Sequence, residues 1–413
     1  MTLNLTVEEQ EMAEGKHGKA TQKAMQILVA LGKIYGAQRM IPVSSVQIAG
    51  VSYDNIGEAG LEFLEEMANG GGQASVLTTL NPAGMDIQNW QRLGINEEFA
   101  RNQIRVIESY ARMGVITTCT CTPYLAGNLP HYREHIAWAE SSAVCYANSV
   151  IGARTNREGG PGALAASLTG RTPEYGFHLD SARKPDITIE VKDLLPVNSS
   201  QTRSYLFGTL GKAIGQRLEK EGKRTVPYIR GIEQASLEEL KSFCASLATY
   251  GGIALFHLEG ITPEEVLFTP PNRTIKISKQ DLSSTLLSMQ QSKPRDVDFI
   301  SLGCPHVSVR EIALLASLLV GKKVQKEFWI TTSRSVKNIA DQMGYTQTIE
   351  QSGAKVVTDT CCVVAPIKNR FKTMATDSAK ACFYGYAKNN FNILLKSFEE
   401  VALLAFDETM LEK

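Results

Sequence analysis

Hydrophobic and polar positions first fall into helical spacing. Thr6 is followed three residues on by Glu9, a capping-box signature, and Met25, Leu28, Val29 and Leu31 then line one face of a helix predicted from Lys19 to Tyr35. The pattern shortens to a β-like segment, Ser45 to Ala49, and returns to an amphipathic helix at about Ile56 to Met67. A strand from Ala74 to Leu80 closes on Asn81-Pro82-Ala83-Gly84, and a helix at about Glu97 to Met113 leads into a strand from Gly114 to Thr120. Strands alternating with helices predict α/β architecture with parallel sheets.

From Ile151 to Arg171 the texture changes, and Gly-Ala-Arg-Thr-Asn-Arg-Glu-Gly-Gly-Pro-Gly reads as a long irregular loop. Strands at Ile187 to Val191, Thr225 to Ile229 and Gly252 to Leu258 mark a distinct lobe. After Lys293 the order is strand (Val297–Leu302), helix (Ser308–Leu319), strand (Glu327–Thr331), helix (Val336–Met343) and strand (Lys355–Thr358), a doubly wound unit, with a helical segment at Phe391 to Phe406. The expected division is therefore an N-terminal α/β domain at 1–150, a middle lobe with the polar loop at 151–292 and a C-terminal α/β domain at 293–413, with a cleft between them.

With 413 residues, 43% hydrophobic and 21% charged, the chain is long enough for a sizeable core. Its 43 Lys and Arg balance its 43 Asp and Glu, so no net field gathers nucleic acid or an anionic membrane, and neither partner is expected. Met1 to Gly15 is polar and acidic, and no apolar run approaches the roughly 20 residues that span a bilayer, which points to the cytoplasm. Eight cysteines in such a chain read as thiols serving as core residues, metal ligands or nucleophiles rather than as a disulfide framework.

Ligand crevices in open α/β sheets lie at the carboxyl ends of the strands. Cys304 follows Asp298-Phe-Ile-Ser-Leu-Gly, Cys361 follows Lys355-Val-Val-Thr-Asp-Thr, and Cys119 and Cys121 close the strand begun at Gly114. Within Cys361-Cys362 adjacent side chains point to opposite faces, whereas Cys119 and Cys121 would share one, so strand-end position selects Cys121 beside Cys304 and Cys361. Three such thiolates suit an iron–sulfur cluster, of 4Fe-4S type with one iron free of protein ligand, better than a structural zinc site, which wants four ligands at tight local spacings.

Polar residues follow the same logic. Ser333-Arg334 follows a strand and opens a helix, placing backbone amides, a hydroxyl and a guanidinium where an anion would sit. Asn81 ends another strand, and Ser52-Tyr53 follows a glycine turn, while a turn or N-cap role is the plain reading for each. His306, beside Cys304, is the histidine best placed for a catalytic part, in proton transfer or in hydrogen bonding. The stretch Asn148-Ser149 through Arg154, Arg157 and Gly160 is polar and cationic, as expected of a flexible loop folding over an anionic substrate.

Taken together, Cys119-Thr-Cys121-Thr-Pro-Tyr124, Asn148-Ser-Val-Ile-Gly-Ala-Arg154-Thr-Asn-Arg-Glu-Gly-Gly-Pro161, Gly303-Cys304-Pro305-His306 and Asp359-Thr-Cys361, with Gln47 to Tyr53 and Thr78 to Gly84 upstream, resemble the aconitase X family over nearly the whole chain. The resemblance implies an aconitase-like architecture of doubly wound sheets around a central cleft, and a large subunit completed by a small one. It implies a hydro-lyase acting on a small anionic β-hydroxy acid: either (R)-5-phosphomevalonate, dehydrated to trans-anhydromevalonate 5-phosphate, or cis-3-hydroxy-L-proline. Cysteine at position 304 favours the first. It further implies Cys121, Cys304 and Cys361 as cluster ligands, and Ser52, Asn81, Asn148, Ser149, Arg154, Ser333 and Arg334 as substrate contacts, with Tyr53 beside them and the base on the small subunit.

Such an elimination needs a Lewis acid on the hydroxyl and a base at the α-carbon. Arg154, Arg157 and Arg334 are equal candidates for gripping a carboxylate or phosphate. Rival readings are a non-catalytic iron–sulfur sensor or RNA-binding regulator, against which the balanced charge argues, and an electron carrier.

Overall fold

The computed structural model describes residues 3–196, 202–220 and 225–406, and these form two compact units, Met1–Lys184 and Pro185–Lys413. In the first unit, α1 (Val7–Glu14) starts at the expected box, with Thr6 Oγ1 accepting from the Glu9 amide and Glu9 Oε2 from the Thr6 amide. It is followed by α2 (Lys19–Tyr35), β1 (Met40–Pro42), β2 (Ser45–Ile48), α3 (Tyr53–Asn69), β3 (Leu77–Leu80), α4 (Glu97–Arg112), β4 (Ala137–Trp138), α5 (Ser141–Tyr146), α6 (Gly160–Thr169) and β5 (Arg171–Pro173). Strands β3-β2-β4 make a parallel sheet, and β1 pairs with β5 antiparallel. The central strand β2 is buried along its whole length, as a parallel strand covered on both faces must be. Ala24, Met25 and Leu28 of α2 and Leu164 and Leu168 of α6 pack with Val46 and Ile48 in one apolar core.

Three expectations change here. The predicted strand Gly114 to Thr120 is reduced to a single bridge between Ile116 and Thr79, because Cys119 adopts φ +44° and the chain cannot stay extended through it. The predicted long loop from Ile151 to Arg171 is short: Pro161 enters the first turn of α6, whose small, buried residues carry no amphipathic period for a pattern reading to detect. Its remainder is no flexible flap, since Arg154, Thr155, Asn156 and Glu158 are all buried.

The second unit holds β6 (Ile187–Glu190), α7 (Ser204–Glu219), β7 (Pro227–Arg230), α8 (Leu237–Gly251), β8 (His257–Leu258), β9 (Thr274–Lys276) and α9 (Lys279–Leu287). It continues with β10 (Phe299–Leu302), α10 (Val309–Leu319), β11 (Glu327–Thr332), α11 (Arg334–Gln342), α12 (Tyr345–Gln351), β12 (Lys355–Thr358), β13 (Thr373–Thr376), α13 (Ala379–Ala387), β14 (Asn392–Leu395) and α14 (Phe398–Leu403). Two parallel sheets result, β8-β7-β6-β9 and β12-β11-β10-β13-β14. In the larger sheet the order reverses between β10 and β13, the switch point of a doubly wound sheet and the place where a crevice opens. The helical segment expected at Phe391 to Phe406 is instead the strand β14 followed by α14. Asn392 to Leu395 is an apolar run, and the helix begins at a capping box of Ser397 with Glu400. No helix among the described residues is long and apolar enough to cross a membrane.

Candidate active site at two groups of strand ends

In the first unit the candidate residues gather where the parallel strands end. Asn81 follows β3, its Nδ2 donating to Glu140 Oε2 at 3.1 Å, and Glu140 follows β4. The other oxygen of Glu140 accepts from Ser142 Oγ at 2.6 Å, so the carboxylate orients the amide. Thr120, just before Cys121, is fixed to the same edge: its carbonyl accepts from Gln47 Nε2 and its amide donates to the Leu80 carbonyl, both at 2.9 Å. Ser52 is fully buried as the N-cap residue of α3, and the Tyr53 hydroxyl donates to Glu58 at 3.1 Å.

Asn148 and Ser149 lie in a π-turn, Ala147–Ile151, a geometry that recurs at functional sites. The Asn148 side chain bonds both the carbonyl and the amide of Thr155, at 2.9 and 3.0 Å, which staples this turn to the buried loop. Arg154 donates to the His178 carbonyl at 3.1 Å and to the Asp180 carboxylate, an arrangement that braces the loop. Burial lowers the His178 imidazole to about 3, with the nearby cations adding to the effect, so this ring is neutral. Burial alone pushes Glu158, which has only a bond from Thr172 in return, up to about 7.

In the second unit three strand ends meet. Gly303, at φ +105°, lets the chain leave β10 beneath Thr331, whose carbonyl a Cβ would overlap. Cys304 follows, joined to Pro305 by a cis peptide bond. After β11, Ser333 Oγ caps α11 through the Val336 amide at 3.2 Å, and Arg334 pairs with Asp359 after β12. Asp359 takes φ +65°, and Cys361 lies two residues on. His306, expected in proton transfer or hydrogen bonding, has no exposed surface, and its Nε2 donates to the Thr360 carbonyl at 3.0 Å. That bond ties the Cys304 turn to the Cys361 turn and gives the ring a holding task. Across the switch point Asp377 follows β13, its carboxyl pushed up to about 7 by burial and by the neighbouring charge of Glu311.

The thiols can be tested against an iron–sulfur group. No cysteine is disulfide-bonded, and Cys121, Cys304 and Cys361 keep 7, 9 and 6% of their surface exposed, whereas the other five keep 2% or less. Each of the three also follows a residue of positive φ by one or two positions, so each is presented on a turn. Soft donors with an outward edge fit the group in chemistry and exposure. Cys121 belongs to the first unit and the other two to the second, and no three His, Cys, Asp or Glu among the described residues form a ready ion-binding group. Reading strand ends alone passed over Glu140, which directly follows the apolar run Ile136 to Ala139, and Asp377, which follows a strand with threonine at both ends.

Family models described as the aconitase X first, second and third domains match residues 2–181, 169–286 and 297–407. A protein of Methanothermobacter thermautotrophicus named phosphomevalonate dehydratase large subunit is 46% identical over 91% of this chain and 92% of its own length. The chain belongs to the aconitase X family. Its aconitase X fold also appears in the solved holo-form of Thermococcus kodakaraensis aconitase X, with TM-score 0.89 and 43% identity over 98% of this chain and 100% of that one. A cis-3-hydroxy-L-proline dehydratase of Pseudomonas aeruginosa is 33% identical over 91% of this aconitase X chain, which spans 65% of that protein.

Proposed function

We propose that this chain is the large subunit of a cytoplasmic hydro-lyase that dehydrates (R)-5-phosphomevalonate to trans-anhydromevalonate 5-phosphate. The observation that carries the reading is the identity of 44–46% to four archaeal proteins named phosphomevalonate dehydratase large subunit, where a fifth of that name and those named cis-3-hydroxy-L-proline dehydratase stand at 32–33%. Cys121, Cys304 and Cys361 are the thiols that would hold a metal group, read as a 4Fe-4S cluster with one iron free of protein ligand. When bound, that cluster supplies a Lewis acid for the leaving hydroxyl.

The chain's own residues bind and orient the substrate. The amides at the start of α11, with Ser333 beside them, cradle an anionic group, and Arg334 offers a guanidinium whose direction Asp359 sets. Asn81, held by Glu140, and Ser149, on the π-turn, present hydrogen-bonding groups at the strand ends of the first unit. The base that takes the α-proton comes from a small subunit, and burial beneath it strengthens each polar contact. The test is turnover of (R)-5-phosphomevalonate by the anaerobically reconstituted chain with and without its co-expressed small subunit, with cis-3-hydroxy-L-proline as the competing substrate. Activity is expected from the pair on the phosphorylated substrate alone. Turnover of hydroxyproline, or full activity of the isolated chain, overturns the reading.

A further inference from the structure

Helix α8 reaches across to the turn that carries Cys304. Glu238 and Lys241, three residues apart and so on one helical face, both meet the N-terminus of α10. Glu238 Oε1 accepts from Ser308 Oγ at 2.9 Å, while Lys241 Nζ donates to Glu311 Oε2 at 2.6 Å and to the backbone carbonyl of His306 at 2.8 Å. The ion pair is buried, with 3% of the Lys241 side chain and 10% of the Glu311 side chain exposed. Buried pairs are seldom better for stability than apolar residues of the same volume, which points to a task for this one besides stability.

The carbonyl it grips supplies that task. The ends of the Cys304 turn are held by neutral bonds: Thr331 Oγ1 donates to the Gly303 carbonyl at 2.8 Å, and the Val307 amide donates to the Thr331 carbonyl at 3.0 Å. Between those ends the His306 carbonyl, two residues past Cys304, is held by the ammonium of Lys241 on α8. The His306 ring, on the same residue, donates to Thr360 next to Cys361. Fixing the peptide that follows His306 therefore fixes both the turn and the ring that joins the two cysteine loops.

We propose that Lys241 is a positioning residue for Cys304, holding its turn through the His306 carbonyl so that the thiol is presented in one orientation. The proposal rests on the reading of Cys304 as a ligand. Its test is the rate at which iodoacetamide labels each cysteine of the full-length chain before reconstitution, resolved by peptide mass spectrometry. Lys241→Met should raise labelling of Cys304 about tenfold, as a local opening does, while Cys244, fully buried on the same helix, keeps its wild-type rate. Lys241→Arg, which retains charge and donors, should return Cys304 to near the wild-type rate. Lys241→Met/Glu311→Gln removes the unpaired buried carboxylate and should label like the single variant.

Iron release from the reconstituted protein to a chelator should accelerate in the same order. Unchanged Cys304 labelling in folded variants overturns the proposal, and so do equal increases at Cys244 and Cys382. Loss of folding in both Lys241→Met and the double variant makes the pair a structural part of the contact between α8 and α10 and also overturns it. A wild-type chain that takes up no iron removes the ligand reading instead, and leaves the labelling comparison to stand or fall by itself.

Discussion

The turn before Cys121 and the turns around Cys304 and Cys361 meet the same requirement with different chemistry. In the first unit Thr120 is held by neutral groups: the Gln47 amide, the Leu80 carbonyl and the Thr122 hydroxyl at 3.2 Å. In the second, charged groups join the neutral bonds from Thr331 and Val307: Lys241 with Glu311 on the His306 carbonyl, and Arg334 with Asp359. Cutting a neutral bond strands one uncharged buried group, at about 1–3 kcal/mol, whereas halving a buried ion pair strands a charge, at about 3–5 kcal/mol. The first unit should therefore tolerate single substitutions near its cysteine better than the second.

The largest effect should come from halving the pair. Glu311→Ala leaves Lys241 buried and alone, and should destabilise the protein by about 3–5 kcal/mol in urea denaturation. A loss under about 1 kcal/mol would erase the contrast between the units. Next comes pH. The Glu158 carboxyl keeps its proton to about pH 7 when folded and to about 4.5 when unfolded, so its stabilising share is full below 4.5 and is lost as pH rises through 7. Glu158→Gln should flatten that decline by roughly 3 kcal/mol between pH 4.5 and 8. Glu311→Gln should lower the titration of Asp377, whose shift includes the charge of Glu311, and leave that of Glu158 unmoved. Carboxyl-resolved NMR titration reads both groups, and movement of Glu158 would refute the separation.

Gln47→Leu, the neutral counterpart, should cost about 1–3 kcal/mol by leaving the Thr120 carbonyl unsatisfied. A cost matching that of Glu311→Ala would show that burial rather than charge decides. Smallest in stability is Arg334→Lys, at under about 1 kcal/mol for a side chain 35% exposed, with a raised KM because lysine lacks the planar fork. Wild-type kinetics in that variant would leave Arg334 a brace for Asp359.

Strand ends were legible from the chain because apolar runs stopping at Gly-Cys, Asp-Thr-Cys or Asn-Pro announce themselves. Ser333 and Thr6 were readable as caps for a related reason, since their bonds span only three residues. The rest depended on long-range contacts. Lys241 lies 65 residues from His306, and nothing local to either marks the bond between them. Position 119 hid a left-handed backbone behind an extended-looking sequence, and the buried helix Gly160–Thr169 hid behind glycines and a proline. Arg154, which its cationic loop recommended as a substrate contact, proved to be engaged by Asp180 and the His178 carbonyl.

In each parallel sheet the strand made first lies inside: β2 between β3 and β4, β6 between β7 and β9, β10 between β11 and β13. On the ribosome, where chains emerge from the N-terminus, each centre therefore exists before its flanks. Every later strand can dock on an open edge, and none has to be threaded between two that have already paired.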